Sequence, residues 1–581
     1  MRAMTVLYGG ALTPEAFRPV FGGRDAFSLA LERAAAFPGS EKTLLLLSGG
    51  SPGEGFFLGE RDLLPAPPAG VLSRARWTVG ELLRVLSEES AGYDFAYYAW
   101  ADAPFMDPDL AGKIAARHTR FAAEYSYADG WPYGLGPELI TGEAAGVLHK
   151  IAAGDAKDAA GEGPVGRDSL FAALQKDINS FDIETEISPV DLRFQRLSLT
   201  ADTRRNVLLL ERFFQAGVLD PAGNAAAAVE RIVAGRLADT RTLPAYFPIQ
   251  VSGPCPGGAG GPGGGACPYC PYPLFGGKVT ERKDFMDPGD FKKLLAKVED
   301  FAGDAVIGLS LWGELALHPR RTELIEAALE RPAFSLVIET SGLGWAAAGP
   351  AALQAELDRY APWAASPVRP GGFPALSWIV SLGPGDLPPG APAVDSPGGG
   401  VPLAGTAGPS EAVRFAAALL SRFPRPPGME DLVYVETPRT AGEEDAIERF
   451  YRAWKAYGQG GVERAGSRGG GAPGIIIQKY DDFCGLLPHK RTVDLSPVER
   501  RPCWHIARDF PVLIDGTVPV CREDVGGRMS GSPAAPRGLG NALKEDLETI
   551  WKRGEERYDS QGKKQYRDLC AVCDEYYTYN F

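Results

Sequence analysis

Three of the chain's eight cysteines fall in one loop, Cys255-Pro-Gly-Gly-Ala-Gly-Gly-Pro-Gly-Gly-Gly-Ala-Cys267-Pro-Tyr-Cys270, directly after the apolar run Phe247-Pro-Ile-Gln-Val-Ser252. Proline and glycine dominate the loop, so it favours neither helix nor strand. Soft thiolates on one flexible loop can close around an iron–sulfur cluster. Three ligands rather than four would leave one iron open to something that is not protein. A structural zinc knuckle or free core thiols is the other reading of these cysteines taken alone.

Composition narrows the context. A chain of 581 residues is too long for one core and suggests roughly three to four domains. The net charge of −14 lacks the basic footprint that a general nucleic-acid binder needs. The longest aliphatic runs, such as Leu44-Leu45-Leu46-Leu47, are strand-sized, so no membrane span is expected. Met-Arg-Ala-Met-Thr-Val-Leu-Tyr-Gly-Gly breaks too early for a signal peptide, and a cytoplasmic protein is the expectation. There thiols stay reduced, and clustered cysteines point to metal or catalysis. Residues 1–254 contain no cysteine.

Near the N-terminus, strand patterns at 5–8 and 43–47 flank a helical pattern at 25–36, and a third strand at 95–100 ends in Ala101-Asp102-Ala103-Pro104-Phe105. This rhythm predicts a mostly parallel sheet with ligands at the carboxyl ends of its strands. The stretch from Asp102 to Leu110, Asp-Ala-Pro-Phe-Met-Asp-Pro-Asp-Leu, resembles the metal-aspartate strand end of sugar nucleotidyltransferases, the cytidylyltransferase-like fold. Arg196-Leu-Ser-Leu-Thr-Ala-Asp202 resembles the R-x-T-x-D stretch of the spore-coat type members. The resemblance implies that Asp102, with Asp202 as a second candidate, holds a divalent metal such as Mg2+ on nucleotide phosphates. That family's Gly-rich phosphate loop carries an Arg and a Lys. The stretch 7–18 here has no Lys and offers only Arg18. The expectation is a degenerate domain that binds a substrate or scaffolds its neighbour. Residues 151–169 read as an exposed loop, and 202–237 as helical.

Beyond residue 245 the alternation becomes regular, with strand patterns at 247–252, 305–311, 334–339, 376–382, 432–436 and 475–478. Between them lie helical faces such as Phe291, Leu294, Leu295, Val298 and Phe301. Six strands with intervening helices predict an open, partial α/β barrel with its site at the carboxyl ends. The arrangement resembles the radical S-adenosylmethionine (SAM) superfamily over about 247–480. Cys267-Pro-Tyr269-Cys270 matches the second half of that family's C-x3-C-x2-C loop, while the first gap has grown to Pro256–Ala266. Trp312-Gly313-Glu314 matches its "G-G-E" stretch, Glu339-Thr340-Ser341-Gly342 its "T-N-G", and Val380-Ser381-Leu382 the position contacting the ribose or carboxylate of SAM. The resemblance implies a [4Fe–4S] cluster on Cys255, Cys267 and Cys270, with SAM held by Tyr269, Gly313, Glu314, Thr340 and Ser381. It also implies reductive release of a 5′-deoxyadenosyl radical.

The other five cysteines lie in the last hundred residues. Cys503 and Cys521 flank a hairpin pattern with an Asp515-Gly516 turn, and Cys570-Ala-Val-Cys573 follows. Spacing alone also suits zinc. The set resembles the SPASM module, which implies one auxiliary [4Fe–4S] cluster on Cys503, Cys521, Cys570 and Cys573, with Cys484 as a spare thiol. Across nearly the whole chain the parts resemble the spiro-SPASM radical SAM family. The five histidines lack metal spacing.

The expected organisation is α/β throughout. It comprises a cytidylyltransferase-like (GT-A/Rossmann-like) domain at 1–215, a helical linker at 216–246, a partial (β/α)6 radical SAM barrel at 247–480 and a small SPASM iron–sulfur domain at 481–581. The expected partners are a peptide, protein or glycan-precursor substrate and an external electron donor of flavodoxin or ferredoxin type, with no nucleic acid or membrane. The alternative is a non-catalytic scaffold stabilised by metal, with zinc at the C-terminal cysteines and a nucleotide-sugar-binding N-terminal domain.

Overall fold

The computed structural model describes residues 2–60, 64, 66–154, 163–221, 223–235, 237–256, 268–275, 284–364, 369, 372–391, 409–425, 431–457, 473–490, 492, 500–525 and 538–573. It is a mixed α/β structure whose sheets are largely parallel. Two compact units are present; the first ends at Thr242 and the second begins at Leu243. Among the described residues no helix is long and apolar enough to cross a membrane.

The first unit is built on a seven-stranded sheet. Its strands are β1 (Ala3–Gly9), β2 (Ser40–Ser48), β3 (Gly70–Arg74), β4 (Phe95–Trp100), β5 (Tyr125–Asp129), β6 (Glu138–Ile140) and β7 (Ile183–Ile187). They lie in the order β3-β2-β1-β4-β6-β5-β7. β1 pairs in parallel with both β2 and β4, whereas β6 runs antiparallel to β4 and β5. Both faces are covered: Leu7, Leu45 and Tyr97 enter one core, and Val6, Leu46 and Tyr98 the other. Burial on both sides explains the unbroken apolar run of β2. The order reverses between β1 and β4, and a crevice outside the carboxyl ends is expected at such a switch point. Asp102 follows β4 directly. The stretch 216–246, expected as a linker, contains the helix Ala225–Gly235, whose Ala225, Ala228, Val229 and Ile232 lie in this unit's core.

In the second unit β8 (Tyr246–Pro248), β9 (Ala305–Leu309), β10 (Phe334–Thr340), β11 (Leu376–Ser381), β12 (Val433–Arg439) and β13 (Gly474–Lys479) lie side by side in sequential order. Every neighbouring pair is parallel. Helices such as Pro288–Ala302 and Glu411–Arg422 return the chain between strands. Asp287 caps the first of these by accepting from the backbone of Gly289 at 2.7 Å. Beyond β13 the chain returns to the sheet's opposite edge. Phe510 N donates to the Tyr246 carbonyl at 2.8 Å and Val512 N to that of Pro248 at 2.9 Å, so this segment runs beside β8. The Asp515-Gly516 turn forms with Gly516 at φ +86°, and Leu513 N donates across it to Thr517 O at 2.8 Å. The regular ladder differs from a simple hairpin, because β14 (Thr517–Val518) pairs with the distant β15 (Gly540–Asn541).

Trp378 on β11 is fully buried, with Trp345, Phe415 and Phe423 ring centroids 5.3, 6.0 and 6.3 Å away. Trp378→Ala should lower the unfolding free energy of the second unit by about 3–5 kcal/mol, because the cavity left behind cannot collapse onto rigid rings. Urea unfolding followed by far-ultraviolet circular dichroism measures this; a loss under about 1 kcal/mol would contradict the packing described.

Candidate active site

Beyond β9, the turn Leu311-Trp312-Gly313-Glu314 lies against the start of the cysteine loop. Glu314 N donates to Pro254 O at 2.9 Å. Trp312 and Gly313 both have positive φ, +37° and +76°. A Cβ on Gly313 would lie 2.0 Å from the Ser252 carbonyl oxygen, so only glycine permits this approach. Cys255 and Cys270 both stand near Tyr272, whose phenol is pushed up to about 12 by burial and by the two sulfurs. Tyr272 stacks parallel to Trp312 at 6.1 Å. Its hydroxyl donates to Gly253 O at 2.7 Å. Cys267 lies outside the described residues. Tyr269 packs edge-on to Tyr480 and donates to Glu443 at 3.4 Å.

The Glu314 side chain is buried and occupied. It accepts from Thr340 Oγ1 at 2.7 Å, Ser341 Oγ at 2.6 Å, Ser341 N at 2.9 Å and Ala316 N at 3.2 Å. Its carboxylate thus ties the end of β9 to the end of β10. Thr340 also accepts from the Trp345 indole at 2.8 Å. Ser381, at the end of β11, donates to Glu436 on β12 at 3.1 Å. The motif stretches therefore stand on the carboxyl ends of adjacent strands.

Sequence reading gave no site role to Glu339, Glu436 or Arg522 in this region. Burial and then the neighbouring Glu339 raise the Glu436 carboxyl to about 7, while Ser381 and Arg522 act in the opposite sense. The available signal was a lone carboxylate in the apolar run Val433-Tyr-Val-Glu436. The influence of Arg522 on this carboxyl comes from a residue far along the chain and has no local signature.

Cys503, Cys521, Cys570 and Cys573 line one small cavity with Gln561 and Tyr566. Gln561 accepts from the Cys503 amide at 2.7 Å, and Arg557 approaches the Cys570 sulfur at 3.8 Å. Burial pushes the Cys503 thiol up to about 11 and that of Cys521 well above the ordinary range. Cys484, expected outside the set, is hydrogen-bonded to Cys573 and close to Cys521. Among the described residues no three His, Cys, Asp or Glu side chains converge in a way that could hold a metal ion.

In the first unit, Arg167 donates Nη1 and Nη2 to the two oxygens of Asp102 at 2.8 and 2.5 Å, and its Nη2 lies 3.2 Å from Asp202. Ala201 N donates to the Asp102 carbonyl at 2.8 Å, which brings the second aspartate alongside. Burial works against the guanidinium charge, but the two carboxylates outweigh it and its pKa rises. With both Asp102 oxygens engaged by a bidentate cation, this donor set does not fit a divalent metal. Where Mg2+ was expected at Asp102, the structure shows Arg167 on both carboxylate oxygens. Arg18, the expected phosphate-loop substitute, pairs with Glu15 at 2.9 Å. Arg167 itself belongs to a segment read as exposed loop.

The fold and sites define a chain of two α/β units, each with charged side chains gathered at the carboxyl ends of parallel strands. No family model matches it. An uncharacterised protein of Treponema pallidum (strain Nichols) is 33% identical over 419 residues, covering 71% of this chain and 98% of that protein, and the chain belongs to the same family. A cytidylyltransferase structure from Leptospira borgpetersenii serovar Hardjo-bovis (strain JB197) has 14% identity and a TM-score of 0.32 over 40% of this chain and 94% of its own. The structure of BtrN in complex with AdoMet and 2-DOIA has 15% identity and a TM-score of 0.30, over 57% and 94%. Likenesses of that size carry no weight for function.

The raised Glu436 carboxyl sets a pH dependence. A free glutamate titrates near about 4.3. Between there and about 7 the folded chain holds a proton that the unfolded chain has lost. The stability contributed by this group is therefore full below the unfolded value and is lost as pH rises through about 7. Glu436→Gln should flatten that slope, by roughly 1 kcal/mol per pH unit at most. Urea midpoints from pH 5 to 8 test it; identical slopes would reject the assignment.

Proposed function

We propose that the second unit is a radical SAM enzyme of the spiro-SPASM type, acting on a peptide, protein or glycan-related substrate. What carries the reading is the juxtaposition of Cys255 and Cys270 with the Trp312-Gly313-Glu314, Thr340-Ser341 and Ser381 strand ends. In this reading Cys255, Cys267 and Cys270 hold a [4Fe–4S] cluster. Bound there with SAM, the reduced cluster would supply a 5′-deoxyadenosyl radical for hydrogen abstraction. The chain's part is to orient SAM and exclude water. Trp312, Gly313 and Glu314 would hold the amino group of SAM, with the turn fixed to the end of β10 through Thr340 and Ser341, and Ser381 and Tyr269 would border the same edge. Glu436, with a carboxyl poised to hold a proton near neutrality, faces this region as a substrate-positioning group.

Cys503, Cys521, Cys570 and Cys573 share one cavity and are the candidate ligands of one auxiliary [4Fe–4S] cluster, with Cys484 beside them; to hold it they would have to draw closer than they stand here. An external flavodoxin- or ferredoxin-type donor would deliver the electron. The first unit, with a nucleotidyltransferase-like domain over 1–215, serves to bind rather than to transfer. The protein reconstituted with iron and sulfide under anaerobic conditions and reduced with dithionite should convert SAM to 5′-deoxyadenosine. Cys267→Ala/Cys270→Ala should reduce product to background, since two missing thiolates cannot hold the cluster. Product from the double variant at the wild-type rate, or zinc in place of iron after anaerobic purification, would reject the reading.

A further inference from the structure

We propose that Gln561 and Arg557 are the hydrogen-bond donors that raise the reduction potential of an auxiliary iron–sulfur centre on the C-terminal cysteines. The inference rests on the reading of those cysteines as cluster ligands. Both residues belong to the helix Glu555–Gly562, four positions apart and so on one face of it. Gln561 lines the cavity that Cys503, Cys521, Cys570 and Cys573 share. Arg557 lines a neighbouring cavity of about 280 Å3, whose wall Cys570 and Gln561 also form.

Gln561 is only 2% exposed, and its Oε1 accepts from the Cys503 amide at 2.7 Å. A backbone N–H can only donate, so it takes the oxygen end of the side-chain amide and leaves Nε2 as the end that must donate. Nε2 is covered from solvent and has no partner among the described residues. The two ends of an amide stand about 2.3 Å apart, which keeps Nε2 within about 5 Å of the Cys503 nitrogen. Buried donors are nearly always satisfied, and water does not reach this one. Ile506, Tyr566 and Leu569 share the wall with the cysteines, and its one carboxylate, Glu523, is engaged by Arg522 at 3.2 Å. The acceptors left for Nε2 are sulfurs, which come into reach as the cysteines close around a cluster.

Arg557 supplies the second donor. Its Nη1 approaches the Cys570 sulfur at 3.8 Å while Nη2 donates to Asp568 at 2.9 Å, which fixes the guanidinium in that position. Reduction adds one electron to the centre and with it negative charge on the sulfurs. An N–H aimed at a sulfur stabilises that charge, and more so away from water. Gln561 therefore has two tasks: it holds the Cys503 backbone through Oε1 and favours the reduced state through Nε2.

A mediated redox titration followed by electron paramagnetic resonance tests this on the full-length protein reconstituted with iron and sulfide. A Cys255→Ala/Cys267→Ala/Cys270→Ala background leaves only the auxiliary centre to contribute. At the midpoint of the background protein, adding Gln561→Met or Arg557→Met should lower the reduced-to-oxidised ratio at least about fivefold. Gln561→Glu keeps an acceptor for Cys503 and, with its carboxyl ionised at alkaline pH, should lower the ratio at least as far. Iron and sulfide contents equal to those of the background protein separate tuning from a purely structural role. An unchanged ratio in Arg557→Met or in either Gln561 variant at full iron content would overturn the inference. So would loss of iron from each variant with no shift in the remaining signal. Zinc in place of iron, or no signal from the background protein itself, would sink the reading of the cysteines as cluster ligands and the inference with it.

Discussion

The Glu314 carboxylate fixes much of the second unit's candidate site. It is buried, and an isolated charge there would be costly unless its oxygens were satisfied. Four donors from Ala316, Thr340 and Ser341 satisfy them. Because those donors sit on the next strand end and on the turn itself, the ends of β9 and β10 cannot move independently. Gly313 then brings the same turn against the Ser252 carbonyl, and the start of the cysteine loop is set by that contact. One carboxylate and one glycine thus align three segments.

The first unit solves a similar electrostatic problem in another way. Two aspartates beside the carboxyl end of β4 would repel each other if left alone. A metal ion is one solution, and a bidentate guanidinium is another. Arg167 supplies the second, with its planar face on Trp100 and its edge on Asp102. Such a buried pair is hard to dissolve one partner at a time, because removing either charge strands the other. A side-chain cation is permanent where a metal is exchangeable.

The C-terminal cysteines owe their proximity to long-range packing. The segment carrying Phe510 and Val512 adds to β8 at the edge of the six-stranded sheet, and β15 returns to β14 across a long connection. Cys503, Cys521, Cys570 and Cys573 thereby share a cavity although seventy residues separate the first from the last. Buried thiols there favour the protonated form, so a soft metal would have to displace protons to bind.

Local sequence determined the elements that repeat with a period. The apolar runs of β1, β2 and β4, the parallel order of the second unit and the Asp515-Gly516 turn were legible because strand patterns and turn chemistry are written over a few neighbouring residues. So were the strand-end motifs around Glu314, Thr340 and Ser381, which fall where a parallel sheet ends. Tertiary structure alone decided which charges meet. Arg167 sits in a stretch rich in alanine and glycine that reads as loop, and nothing near it in the chain announces two aspartates on other segments. Glu436 with Ser381, and Cys484 with Cys573, are likewise brought together from separate segments. Electrostatic partnership depends on distance through space, and distance along the chain does not encode it.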